Sequence, residues 1–95
     1  MKCDKINELI ATYLKSDLEY TSSENFCNIY MNMFFDLFDE LENELQPSLF
    51  EVLDDINIVC DSYEKDINIR NMEKFCIGEI ELKEKIKLLF DKFNI

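Results

Sequence analysis

Histidine and tryptophan are absent from these 95 residues, glycine and proline occur once each, and no lysine or arginine stands between positions 16 and 64. Each gap closes a class of reading. Without histidine, the usual general base near neutral pH and a common zinc ligand are missing. With Gly78 and Pro47 alone, there are few sites for tight hairpins or left-handed turns, so an all-α fold is expected. A glycine-rich phosphate loop is likewise excluded. No serine or cysteine has a plausible base beside it in sequence, so the chain is not read as an enzyme. A long stretch without positive charge repels nucleic acid and anionic lipid, because phosphate binding rests on Lys and Arg.

The four cysteines, Cys3, Cys27, Cys60 and Cys76, are separated by 24, 33 and 16 positions and form no metal-binding pair motif. Cys27 and Cys60 fall on apolar helix faces, where burial as small hydrophobes is the expected role. Calcium loops need a central glycine that neither Asp54-Asp55-Ile56-Asn57 nor the run from Asp61 to Asp66 contains. No metal or cofactor is expected. The opening Met1-Lys2-Cys3-Asp4-Lys5 lacks the apolar run of a secretory signal, and no segment reaches the ~18 apolar residues of a membrane span. A reduced, cytoplasmic protein with free thiols, away from membranes, follows as the expectation.

What is present is a strongly segregated charge. Residues 16 to 64 hold 13 carboxylates, whereas the flanks hold all 10 basic residues and 8 acidic ones. The block therefore carries −13 and the flanks +2, for −11 overall. Solubility needs no such separation, since mixed signs serve as well and repel less. The block reads as a surface directed at something positive. At 47% hydrophobic, with eight Phe and four Tyr, the chain is too apolar for a disordered acidic tail. Its length suits a single domain, 1–95, hiding roughly 60 to 65% of the unfolded surface.

Helical periodicity is clear in four stretches. Asp4 is placed to cap a first helix with Ile6, Leu9, Ile10, Tyr13 and Leu14 on one face. Thr21 and Glu24 have capping-box spacing for a second, from about Ser22 to Leu45, with Phe26, Ile29, Tyr30, Met33, Leu37 and Leu41 inward, widened by Phe34, Phe38 and Leu45. Pro47, then Ser48 with Glu51, opens a third over about 48–63, with Leu49, Val52, Leu53, Ile56, Val59, Cys60 and Tyr63 inward. The last spans about Ile80 to Phe93, with Leu82, Ile86, Leu89, Phe90 and Phe93 inward. Four such stripes bury most simply as an antiparallel four-helix bundle with a partly irregular connection before the last helix.

Residues 65 to 79 read two ways. Asp66-Ile67-Asn68-Ile69 alternates like an extended segment, while Ile69, Met72 and Phe75 fit one turn of helix; the stretch is either a lid on the core or a functional loop closed by Gly78. Phe35 also divides, pointing away from Phe26 towards Asn28, Asn32 and Asp39. It is either covered by a loop or an exposed aromatic anchor. On the third helix Asp54 and Asp61 nearly eclipse each other, about 10 Å apart along the axis, beside Asp55 and Ile58. Core packing does not account for that acidic stripe. Its charge complements a basic cleft and would accelerate encounter with one.

Taken together, the first helix Ile6 to Leu14, the segment EYTSSENFC from Glu19 to Cys27, Asp54-Asp55, the run Asp61-Ser62-Tyr63-Glu64-Lys65-Asp66, and the closing LKEKIKLLFDKFNI from Leu82 resemble the colicin D-type immunity proteins. The Leu-Phe-Asp-Lys-Phe ending is similar to that family's Leu-Glu-Lys-Phe. The resemblance implies inhibition of a tRNA-cleaving ribonuclease toxin by an acidic surface that mimics the RNA backbone in its basic active-site cleft. The family's inhibitory segment would fall on Asp61, Glu64 and Asp66, with Asp54 and Asp55 on the same helix and Tyr63 and Phe35 as candidate apolar anchors. The implied partner is a cognate basic nuclease toxin domain, bound one to one by a monomer. The family pattern admits arginines in the second helix where this chain has none, which leaves open a different toxin, delivered as a bacteriocin or by contact-dependent inhibition. The alternative is a small acidic carrier or adaptor with a helical docking face. Its one Asp-Ser, Asp61-Ser62, lies near the end of the third helix instead of the start of the second, where acyl carrier proteins place theirs.

Overall fold

The computed structural model describes residues 3–16, 20–72 and 76–93, and every element in them is helical. The chain runs α1 (Cys3–Lys15), α2 (Tyr20–Glu44), α3 (Pro47–Asp61), α4 (Ile67–Met72) and α5 (Glu79–Phe93). Helix α2 packs on α1 and α3, α3 packs on α5, and α5 also meets α1 and α2. The short α4 falls within the connection that the sequence left between extended and helical. Its backbone packs on none of the other helices.

The core forms where the apolar stripes meet. Ile6 and Ile10 from α1, Leu53 and Ile56 from α3, and Leu82 and Ile86 from α5 are wholly buried, each stabilising the fold by about 1.5–3 kcal/mol. Helix α2 contributes an aromatic column. Tyr13 of α1 stacks on Phe26 at 4.2 Å between ring centres, and Phe26, Tyr30 and Phe34 follow one another along α2. Phe34, Phe38 and Phe50 then close that end of the column, with Phe38 edge-on to both of the others. The buried hydroxyls are satisfied, Tyr13 sharing a 2.8 Å hydrogen bond with Ser23 and Tyr30 donating to the Leu53 carbonyl at 2.7 Å.

Several expected details are corrected. Cys27 is buried as expected, at 3%, but Ile29 and Phe38, expected inward on α2, are 49% and 38% exposed, because α1 and α3 pack on the helix and leave those positions uncovered. Asp4 lies inside the first turn of α1, where its carboxylate complements the helix dipole, since the helix opens at Cys3. Helix α2 opens at Tyr20, and the side chain of Thr21 lies outside the described residues. Ser48 and Glu51 form no capping box. Pro47, lacking an N–H and preset in φ, takes the first helical position, so Gln46 becomes the cap and its carbonyl accepts the N–H groups of Leu49 and Phe50.

The connection from α3 to α5 is built from polar contacts. Ile77 donates its N–H to the Ser62 carbonyl and accepts that of Glu64, which makes a one-residue parallel bridge between Tyr63 and Ile77. Asp66 caps α4, its Oδ1 accepting the Asn68 N–H at 2.8 Å. Arg70 reaches from α4 to Glu79 at 3.4 Å, and its guanidinium lies over Gly78 where a side chain would otherwise stand. As a lid the segment contributes Ile77, which is buried. Ile67, Ile69 and Met72 face solvent, because a six-residue helix clamped at its polar groups does not turn its apolar side inward. Phe75 lies outside the described residues.

Candidate partner-binding surface

Side by side, α2 and α3 leave a groove of about 360 Å³ along their outer edge. Phe34 and Met31 line its depth, Phe38 its far end, and Phe35 and Ile58 its rim, with Asp54, Asn57 and Asp61 along the α3 side. The two rim residues are the unusual ones. Phe35 is 81% exposed and Ile58 56%, so no described segment covers either, and the covered reading of Phe35 does not hold. Packing of α2 on α3 thus brings the aromatic side chain to the same groove as the two aspartates of the stripe, 19 and 26 positions further along the sequence.

At the end of α3 the groove meets a second hollow, of about 270 Å³, whose lining includes Glu24, Cys27, Asn28, Cys60, Tyr63, Glu64 and Lys65. Met31 and Asp61 border both spaces. Four carboxylates, Glu24, Asp54, Asp61 and Glu64, therefore face one continuous depression, against a single ammonium. That one, Lys65, is held by both oxygens of Glu24 at 3.2 Å. Exposed like charges about 10 Å apart repel by only ~0.4 kcal/mol in water, so α3 tolerates the spacing of Asp54 and Asp61. A cation brought to ~4 Å of one of them, at the effective dielectric of a protein surface, gains about 4 kcal/mol before desolvation is subtracted.

The remaining expected site residues are placed differently. Asp55 lies one position, or about 100°, round α3 from Asp54 and lines neither space. Tyr63 is half-buried and donates its hydroxyl to Glu79 Oε1 at 3.0 Å; burial first, then that hydrogen bond and charge, push its phenol well above the usual range. It ties the end of α3 to the start of α5 as a strut. Glu64 accepts the Asp66 N–H at 3.1 Å and so shapes the turn as well as adding charge, while Asp66 is committed to capping α4. Sequence reasoning missed Glu24 and Met31. The signal for Met31 lay in its spacing, one helical turn from both Cys27 and Phe35.

On the floor of the second hollow the buried thiols of Cys27 and Cys60 are neighbours. The contact with Cys27, in which the Cys60 thiol is the donor, and then burial raise the Cys60 thiol far above its ordinary value, since both disfavour the thiolate. Among the described residues no three His, Cys, Asp or Glu side chains converge on a common metal position, and no helix is long and apolar enough to cross a membrane. Compared with known proteins, the chain matches no family model, no curated protein and no solved structure.

Proposed function

We propose that this protein is an immunity protein, a monomeric inhibitor that binds one to one and covers the basic active-site cleft of a cognate tRNA-cleaving toxin domain. The observation that carries the reading is the groove itself: exposed Phe35 and Ile58 stand beside Asp54 and Asp61 on a part of the chain without a lysine or arginine. An interface needs an apolar anchor for affinity and complementary charge for orientation and encounter rate. Both are combined here. The carboxylates would occupy the positions of RNA phosphates while Phe35 packs against the wall of the cleft. The resemblance of the chain to colicin D-type immunity proteins names the same class of target. In this reading the four long helices form an antiparallel bundle that acts in the cytoplasm, with α4 as an accessory to the acidic end.

A carrier role has less behind it. Ser62 ends α3 and its hydroxyl is bonded to the Ile58 carbonyl, far from the helix start where a prosthetic arm is carried in acyl carrier proteins.

The test begins with whether a reading frame for a basic nuclease domain lies beside this protein's gene, and proceeds to tRNA cleavage by that domain with and without an equimolar amount of the protein. Complete inhibition that is lost on reversing Asp54 and Asp61 to Lys, with an unchanged circular-dichroism spectrum, supports the proposal. Full inhibition by that double variant would remove this face from the mechanism.

A further inference from the structure

The floor of the second hollow is not explained by its acidic mouth. Cys27 and Cys60 come from facing helices, are 3% and 2% exposed, are both free, and line the same hollow. Met31, one turn along α2 from Cys27, lines the same space. Burial as a small hydrophobe explains either cysteine alone. It does not explain three sulfur-bearing side chains gathered beneath a hollow whose rim is Glu24, Asp61 and Glu64.

We infer that this floor binds a soft, thiophilic cation, Cu(I) being the representative of that class, through the Cys27 and Cys60 thiolates and the Met31 thioether. Thiolate and thioether donors select soft monovalent copper, whereas structural zinc takes four N, S or O ligands. The described residues offer no third His, Cys, Asp or Glu to complete a zinc set, so the donors fit a low-coordinate soft ion. The step is a simple exchange. Two S–H bonds give up their protons to solvent, two Cu–S bonds form, the thioether adds as a neutral donor, and copper stays in the +1 state. The carboxylates at the mouth draw the cation in.

The probe is Cu(I) supplied anaerobically as its bathocuproine disulfonate complex to the reduced full-length chain carrying Cys3→Ser and Cys76→Ser, which leaves only the facing pair of thiols. One copper per chain should pass from chelator to protein and raise its melting temperature, as any ligand of the folded state does. Adding Cys60→Ala should abolish the transfer. Met31→Leu, a swap that keeps volume, should weaken it at least tenfold while leaving the circular-dichroism spectrum unchanged. Retention of all copper by the chelator, or transfer that survives Cys60→Ala, overturns the site. Should Cys60→Ala unfold, Met31→Leu decides, and an unchanged affinity there refutes the three-sulfur assignment. No nuclease enters the measurement, so the result is independent of the inhibitor reading.

Discussion

The hydroxyl of Tyr30, in the middle of α2, is wholly buried and donates at 2.7 Å to the backbone carbonyl of Leu53 in α3. One residue further along α3 is Asp54, and one turn along α2 is Phe34. The bond therefore pins the two walls of the groove in register at the level where its charge and its apolar depth meet. Replacing Tyr30 by Phe removes the donor and keeps the ring, so stability should fall by about 1 kcal/mol, read from the midpoint of urea unfolding. A loss below the error of that measurement would show that packing alone holds the register.

Phe34 and Phe35 are adjacent in sequence and opposite in consequence. Phe34 is 3% exposed and in contact with three other rings, so Phe34→Ala should cost about 3–5 kcal/mol, a large share of a small domain's stability. Phe35→Ala should change stability by no more than about 0.5 kcal/mol, yet weaken binding to the toxin domain by about 2 kcal/mol or more. Calorimetric titration beside thermal unfolding separates the two effects.

The clamp of Glu79 on Tyr63 and Arg70 holds the connection from α3 to α5 in place. Glu79→Gln weakens both contacts and should lower stability by about 1–2 kcal/mol. Amide exchange at Ile77, whose N–H is bonded to the Ser62 carbonyl, should quicken most. Gly78→Ala should act through the same clamp. The backbone at Gly78 is not in the left-handed region, but a new Cβ would collide with the Arg70 guanidinium and displace that flexible side chain from Glu79.

Alkali should unfold the protein through its tyrosines. Burial raises the Tyr13 phenol to about 12, and Tyr30 and Tyr63 are raised further by the same leading cause. The folded state thus holds its protons more tightly than the unfolded state, whose phenols ionise near 10. Stability is fully present below pH ~10 and falls as pH rises towards 12, the Tyr13 share being on the order of 2–3 kcal/mol. Tyrosinate absorbance and circular dichroism should change together over that range, and Tyr13→Phe should flatten the slope.

The arrangement of charge, the all-helical class and three of the four long helices' inner faces were legible in the order of residues, because a 3.6-residue period and a count of charges are local properties. On α2 the period identified a broad apolar side but did not say which flank of it would be covered. Cys27 and Ile29 lie on opposite flanks, and the packing of α1 and α3 on α2 buried the first and left the second exposed. The segment 65–79 was ambiguous for a similar reason. Its Asp66 cap is local, two residues from Asn68, but the ion pair that ties the helix down runs from Arg70 to Glu79, nine positions on and beyond Gly78.

For the candidate surface, the sequence by itself determined that residues 16 to 64 present carboxylates without counter-charge and that Asp54 and Asp61 share a side of one helix. Only the tertiary structure decided that Phe35 joins them, that Tyr63 turns to Glu79, and that Cys27 and Cys60 line one hollow. The physical reason is range: helical geometry relates residues a few positions apart, whereas these meetings depend on how whole helices pack, which is set by the summed shape of many side chains.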